Sequence, residues 1–321
     1  MSGIQTKYGK AFEYACLDAI YRSLSASQEV IIESTPQLDN AHKYYIAVPV
    51  DFRGNLDSAA RAATRVIVRL EPQLEKPAKN IPLYLSLQSD TQGKAGDVRD
   101  VICIRKQNDW QIGLSCKHNH HAVKHSRLSA TIDFGQEWFG MPSSDSYFNK
   151  INPIFKELRA MRDDSGSKAL WSGIVNKNER YYVPILLAFM DELKRLDKAH
   201  PNMIPERLIR YLIGRSDYYK VITDSRRRAT RIEAIKIAGT LNRPSEGIKS
   251  AINVQKLKLP TRFFNVDFKT GSSTTIEVAC NKGWTVSMRI HNASSRIEPS
   301  LKFDVNLISL PSNTHVQIES W

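Results

Sequence analysis

The stretch GDVRDVICIRKQNDWQIGLSCKHN, residues 96–119, constrains the fold more than any other part of the chain. Residues 101–105 and 110–117 are two apolar-rich runs, and the polar Lys106, Gln107, Asn108 and Asp109 between them form a turn. This pattern predicts a β-hairpin. Side chains two apart on a strand share a face. Asp100, Ile102 and Ile104 therefore alternate with Val101 and Cys103, while Ser115 and Lys117 share a face opposite Leu114 and Cys116. A hairpin closed near Asn108 brings Asp100 and Lys117 to the same open end.

Other elements follow from periodicity. From Lys10 the apolar residues Phe12, Ala15, Cys16, Ala19 and Ile20 recur at helical spacing. Residues 44–50 predict a short strand, and residues 56–70 a helix capped by Asp57 and Ser58 and stopped by Pro72. Leu83, Leu85 and Leu87 alternate as in a strand. Residues 147–240 read as mainly helical, with VPILLAFMDELKRL and IPERLIRYLIGR separated by Pro201 and Pro205. Beyond Pro244, TRFFNVDFKT, STTIEVAC, WTVSMRIHN and SLKFDVNLISL alternate as four strands. The expected organisation is a mixed α/β core in residues 1–150, a helical middle in 151–245 and a β-rich segment in 246–321. Residues 163–167 are the best linker candidate. No internal repeat or low-complexity tract is visible.

Charge narrows the partners. The 321 residues include 46 Lys and Arg against 33 Asp and Glu, a net charge of +13 with a pI near 9.5. Such a chain attracts polyanions by steering and counterion release. Basic residues cluster over 117–127, with histidines interleaved, and again at Arg226, Arg227, Arg228 and Arg231. Neither cluster is the polar stripe of an amphipathic membrane helix, and no apolar run approaches the roughly 20 residues of a membrane span. Four scattered cysteines without CxxC spacing read as reduced thiols. With no secretory signal at the N-terminus, the expected location is cytoplasmic. Nucleic acid is the leading partner.

The Asp100–Lys117 end of the hairpin suits phosphodiester hydrolysis. A carboxylate holds a hard cation through oxygen. The cation polarises phosphate and acidifies water, and a lysine orients that water or balances transition-state charge. An ordinary surface salt bridge is the competing reading of the pair. Apolar flanking strands and the basic run after Lys117 favour the chemical one.

The letters HNH at His118, Asn119 and His120 do not make an HNH nuclease site, because consecutive side chains diverge and cannot enclose one metal. A zinc site from Cys103, Cys116, His118, His120 and His121 lacks the paired short spacings of structural zinc motifs. The favoured reading makes His118, Asn119, His120, Lys124, His125 and Arg127 contacts to phosphate or groove. Arg289, His291 and Asn292 end a C-terminal strand with donors suited to guanine and adenine edges, although a polar strand end and turn explains them equally well. Arg226 and Arg227 would neutralise phosphates.

The Asp-spacer-SxK pattern resembles a variant of the PD-(D/E)xK nuclease core. The longer string GDVRDVICIRK…WQIGLSCKHNHHAVKHSRLS resembles type II restriction endonucleases of the HaeIII family. GKAFEYACLDAI, at residues 9–20, is similar to that family's first helix, and GWTVSMRIHNASSRIEPSLKFDV, at 283–305, to its tail. The resemblance implies a Mg²⁺-dependent, sequence-specific endonuclease acting on double-stranded DNA at GGCC, with cleavage inside the site. It assigns Asp100 as metal ligand, Lys117 as catalytic lysine and Glu13 as the helix-borne carboxylate completing the metal site. The backbone carbonyl of Cys116 is a further ligand, and Asp97 a second-choice carboxylate. One departure matters: Ser115 stands where the pattern has Asp or Glu, removing a negative charge. That departure keeps open a non-catalytic DNA-binding protein on a decayed nuclease core, and a repair nuclease is another alternative. A palindromic target suits a homodimer, a monomer cutting one strand at a time is the other arrangement, and a companion DNA methyltransferase is expected.

Overall fold

The computed structural model describes residues 2–75, 81–89, 96–118 and 122–321, with the backbone alone for residues 2–4, 122–125, 165 and 167. The fold is mixed α/β, with helices and two sheets. The chain divides into two compact units, each assembled from separated stretches. Met1–His121, Arg215–Leu257 and Asn313–Trp321 make the first; Ala122–Gly214 and Lys258–Ser312 make the second. Boundaries expected at residues 150 and 245 do not coincide with these units, and residues 163–167 lie within the second rather than between domains.

The first unit holds helices α1 (Ser2–Leu24), α2 (Pro36–Ala47), α3 (Val50–Leu70) and the short α4 (Pro72–Glu75). Its strands are β1 (Val30–Ile32), β2 (Leu83–Leu87), β3 (Val101–Arg105), β4 (Trp110–His118), β6 (Tyr218–Asp224), β7 (Ala229–Ile235) and β12 (Val316–Ser320). They form one sheet in the order β1-β2-β3-β4-β6-β7-β12. The pairs β1–β2 and β4–β6 are parallel, the rest antiparallel. The helical spacing of Phe12, Ala15, Cys16, Ala19 and Ile20 buries one face of α1 against the sheet residues Val101, Cys103, Leu114, Cys116 and Val221. Complete burial of a side chain such as Phe12 contributes on the order of 2–3 kcal/mol.

Two expectations change here. Residues 44–50 are the end of α2 and the start of α3, not a strand. Thr35 caps α2, its hydroxyl accepting from the Leu38 amide at 3.2 Å, with Pro36 in the first turn. Ile46 is 53% exposed, so the short apolar run is not buried on two faces as a central strand would be. Helix α3 starts at Val50, and Asp57 is not its cap but accepts from the Tyr45 hydroxyl at 2.8 Å.

The second unit contains β5 (Ala122–Ser129), β8 (Phe263–Phe268), β9 (Thr275–Cys280), β10 (Thr285–His291) and β11 (Ser300–Ser309), in the antiparallel order β5-β11-β10-β9-β8. The four strands expected after Pro244 are β8 to β11. Helices α5 (Asp145–Ser165), α6 (Val183–Ala199) and α7 (Ile204–Ile213) belong to the same unit. Its core is aromatic: Phe134, Phe189 and Phe303 are fully buried, and Trp138 stacks on Tyr211 at 4.6 Å. The helical middle expected over 151–245 also contains β6 and β7, which were not anticipated. All but the last residue of β6 are buried, so it lacks the alternation that marks a one-sided strand. Among the described residues no helix is long and apolar enough to cross a membrane.

Candidate active site

The hairpin forms as its sequence demands. Val101 pairs with Leu114 and Arg105 with Trp110, and Asp109 closes the turn in the left-handed region at φ 47°. Asp100 extends the ladder by one bond, its amide donating to the Leu114 carbonyl at 2.7 Å. This bond fixes Asp100 beside the second half of β4, next to the Val101–Leu114 pair. Its carboxylate Oδ2 accepts from the Cys116 amide at 2.7 Å and lies 3.5 Å from Lys117 Nζ. Both side chains remain about one-fifth exposed, at 22% each. The backbone donor is a charge-assisted bond that orients the carboxylate without consuming its other oxygen.

Glu13 arrives from α1, which packs on β4. It is 8% exposed and ion-paired to Lys10 at 3.0 Å. Burial first, and then the Asp100 charge, push the Glu13 carboxyl up to about 7 against the opposing pull of Lys10 and Lys117. Asp100, Lys117 and Glu13 thus share one electrostatic neighbourhood. Burial and the neighbouring Asp100 charge leave the Glu13 carboxylate short of positive charge.

Asp97 is differently occupied. Its carboxylate takes Arg99 Nη2 at 2.6 Å and Nε at 2.9 and 3.1 Å. Burial works against its ionisation, but the Arg99 bonds outweigh burial and hold the carboxyl below its usual range. The Arg99 stem crosses Gly113, where a Cβ would come within 2.2 Å of Arg99 Cδ. Ser115 is 3% exposed and sits in register with Lys220 of β6, which in turn faces Glu233 of β7. Lys220 is 2% exposed. Burial lowers its ammonium to about 8, with Glu233 opposing and Lys117 and Arg231 adding to the shift. Sequence reasoning missed Lys220 and Glu233; the one available signal was a lysine inside the apolar run YYKVIT.

The predicted nucleic-acid contacts are divided between the two units. His118 ends β4 with its ring 5.2 Å from Phe52 and 5.7 Å from Tyr8, and burial lowers its pKa. Asn119 and His120 lie outside the described residues, as does His121. Lys124 and His125 are described by backbone alone, in register with Val305 and Asp304. Arg127 Nη1 donates to Glu298 and to the Ser300 hydroxyl, both at 2.9 Å. Arg226 and Arg227 occupy the exposed turn between β6 and β7, where their amides donate to Asp224 at 3.1 Å. Arg289 and His291 meet Asp304 at 2.8 and 3.1 Å. Asn292 accepts from the Tyr182 hydroxyl at 3.0 Å and donates to the Ser294 carbonyl, so both ends of its amide are engaged within the second unit.

Among the described residues no group of three or more His, Cys, Asp or Glu side chains is arranged to hold a metal. Cys103 and Cys116 are both buried in the apolar core, which leaves the zinc alternative without a described ligand cluster. A cavity of about 360 Å³ lined by Asp18, Arg22, Asp57, Arg61 and Arg65, among others, contains none of Glu13, Asp100 and Lys117.

A family model described as the HaeIII restriction endonuclease matches residues 9–311, a span that takes in α1 from Gly9 onward, the hairpin and the strands β8 to β11. The chain belongs to the HaeIII restriction endonuclease family. The type II restriction enzyme HaeIII of Haemophilus aegyptius is 39% identical to it over 312 residues, covering 97% of this chain and 96% of that protein. No solved structure matches the chain. As a member of this family the chain is a site-specific deoxyribonuclease, a hydrolase that binds and cuts DNA.

Proposed function

We propose that the chain is a Mg²⁺-dependent type II restriction endonuclease with a PD-(D/E)xK-type site, cutting duplex DNA within GGCC. One observation carries the catalytic part: Asp100 Oδ2 is held by the Cys116 amide at 2.7 Å and stands 3.5 Å from Lys117 Nζ, with Glu13 sharing its field. The donors fit a hard divalent cation, being two carboxylates and the Cys116 backbone carbonyl, all oxygen. The mutual repulsion of Glu13 and Asp100 is the charge deficit such an ion relieves. With Asp97 engaged by Arg99, Glu13 is the better partner for Asp100. When bound, the cation supplies polarisation of the phosphoryl group and acidification of water.

The chain's own residues do the rest. Asp100 and Glu13 would hold the cation at the open end of the β3–β4 hairpin. Lys117 orients the attacking water or balances charge that develops on the phosphoryl oxygens. Water attacks phosphorus directly, the ester P–O bond opposite it breaks and the departing oxygen takes up a proton to leave as a strand-end hydroxyl, so no covalent enzyme intermediate forms. Ser115 contributes a hydroxyl in place of a third carboxylate. His118, Asn119, His120, Lys124, His125, Arg127, Arg226, Arg227, Arg289, His291 and Asn292 remain the proposed DNA contacts, of which Asn292 has the strongest internal role. GGCC is palindromic, which suits a homodimer, and a companion methyltransferase would protect the host DNA in a restriction-modification pair. A cytoplasmic site of action follows from the substrate.

The test is digestion of a defined plasmid by the purified protein and by Lys117→Ala, with and without magnesium. Discrete fragments at GGCC, lost in the variant and without metal, are expected. The Ser115 departure favours one second reading, a DNA-binding protein on a decayed nuclease core. Binding without any cutting by the native protein would establish that reading instead.

A further inference from the structure

The strand that follows the helical region places a second lysine beside the catalytic one. β6 runs parallel to β4, with Ser115 opposite Lys220 and Lys117 opposite Ile222. β7 then runs antiparallel to β6, with Glu233 opposite Lys220 and Arg231 opposite Ile222. Paired residues share a face. Ser115, Lys220 and Glu233 therefore form one row on the face away from Leu114, Cys116 and Val221, which are in the apolar core. Lys117 is the diagonal neighbour of Lys220 on that face.

Charge along this face is ordered. Asp100 flanks Lys117 at 3.5 Å on the β3 side, and Glu233 flanks Lys220 on the β7 side. Glu233 is itself bonded to Arg231 Nε at 2.7 Å. Two ammonium groups on one buried face repel each other across β4 and β6. Asp100 attracts Lys117 from the β3 side, and the Glu233 charge acts on Lys220 from the β7 side. A carboxylate at position 115 would stand in register with Lys220 and compete with Glu233 for its charge. A serine there adds no such competitor. A buried lysine with a neighbouring carboxylate is weak evidence for stability, because aliphatic residues of similar volume are often as good or better for folding. The place of Lys220 beside Lys117 supplies another reason for it.

We propose that Lys220, in register with Glu233, is a positioning residue that directs the Lys117 ammonium toward Asp100. The inference rests on the catalytic reading of Lys117 given above. Lys220 is 2% exposed, so it acts through Lys117 rather than on the DNA. Ser115 belongs to the same device, as the small residue that lets the two lysines share the face.

The experiment compares Lys220→Met, Lys220→Arg and Lys117→Ala with the native enzyme. Three quantities are measured: the single-turnover cleavage rate, affinity for the target duplex without divalent metal, and the melting temperature. Lys220→Met is expected to bind the duplex as tightly as native and to melt at the same temperature or higher. Its cleavage rate is expected to fall about 10–100-fold, the range for an outer partner of a metal site. Lys220→Arg, which keeps the charge, recovers most of that rate. If Lys220→Met does not fold, the double variant Lys220→Met with Glu233→Gln removes both charges together and is expected to show the same loss. A native cleavage rate in whichever of these folds, with Lys117→Ala inactive, overturns this inference alone. A rate loss that tracks a lowered melting temperature and is not recovered by Lys220→Arg also overturns it, in favour of a structural role. A fully active Lys117→Ala overturns the catalytic reading, and this inference with it.

Discussion

Lys117 Nζ stands 3.5 Å from Asp100 Oδ2, and the residue before it, Cys116, donates its amide to the same oxygen at 2.7 Å. One carboxylate oxygen thus ties two successive positions of β4 to the start of β3. Asp100→Asn keeps an oxygen for the Cys116 amide, so its melting temperature should change little. Cleavage should fall by more than about 100-fold, beyond the range for outer partners of a metal site. Single-turnover digestion and a thermal melt on the same preparation check both halves.

Glu13 should give the enzyme an acid limb in its metal requirement. Its carboxyl is raised to about 7 by burial and by Asp100, so protons compete with a cation in the neutral range. As pH falls below about 7, more magnesium should be needed for half-maximal cleavage, and excess magnesium should restore the rate. Glu13→Gln should raise the metal requirement about 10–100-fold and flatten its pH dependence. A magnesium titration at several pH values decides it; an unchanged requirement in the variant removes Glu13 from the site.

Gly113 is a packing position beneath Arg99. A Cβ there would meet Arg99 Cδ at 2.2 Å and Cβ at 2.8 Å, and the stem of Arg99 is pinned by its bonds to Asp97. Gly113→Ala should cost about 1–3 kcal/mol, as overpacking does. Urea unfolding of the variant measures this, and partial relief by a second change, Arg99→Ala, which removes the Cδ and Cγ contacts but keeps Cβ, identifies the clash.

Glu71 makes stability depend on pH. It is fully buried, accepting from the Tyr219 hydroxyl and the Asn242 amide, both at 2.6 Å, and burial raises its carboxyl from 4.5 to about 7. The folded protein therefore binds this proton more tightly than the unfolded chain. Its contribution is fully present below pH 4.5 and is lost as pH rises through about 7, a change on the order of 3 kcal/mol. Glu71→Gln should flatten this part of the stability profile, measured by denaturant unfolding from about pH 5 to about pH 8. An identical slope in the variant would contradict the assignment.

Arg226 and Arg227 extend from the exposed β6–β7 turn. If they meet phosphates, each substitution by alanine should lower the slope of log affinity against log salt by about 1. The weakening should be similar for target and non-target duplexes, as read by anisotropy over a salt series. A slope unchanged in the double variant shows that this turn does not touch DNA.

Much of the fold's local geometry was legible in the residues. The β3–β4 hairpin, the apolar face of α1 and the four strands β8 to β11 all follow from short-range periodicity and turn composition, which act within a dozen residues. The same local rule put Asp100 and Lys117 at one end of the hairpin. It failed at residues 44–50, where a short apolar run is compatible with either period and the Thr35 cap of α2 decides. It failed again at β6, whose nearly continuous burial leaves no alternation to read.

The Asp100–Lys117 pair and the hairpin that carries it are encoded locally, because the turn and both strands are contiguous. Which other charges surround that pair depends on long-range packing. Glu13 enters because α1 lies against β4, Asp97 is withdrawn because Arg99 folds back on it, and Lys220 arrives because β6 inserts in parallel beside β4. Parallel pairing joins segments about a hundred residues apart, and no local pattern records which distant strand will close the sheet. The two units are built from separated stretches for the same reason: burial of apolar faces is non-directional and takes no account of chain order.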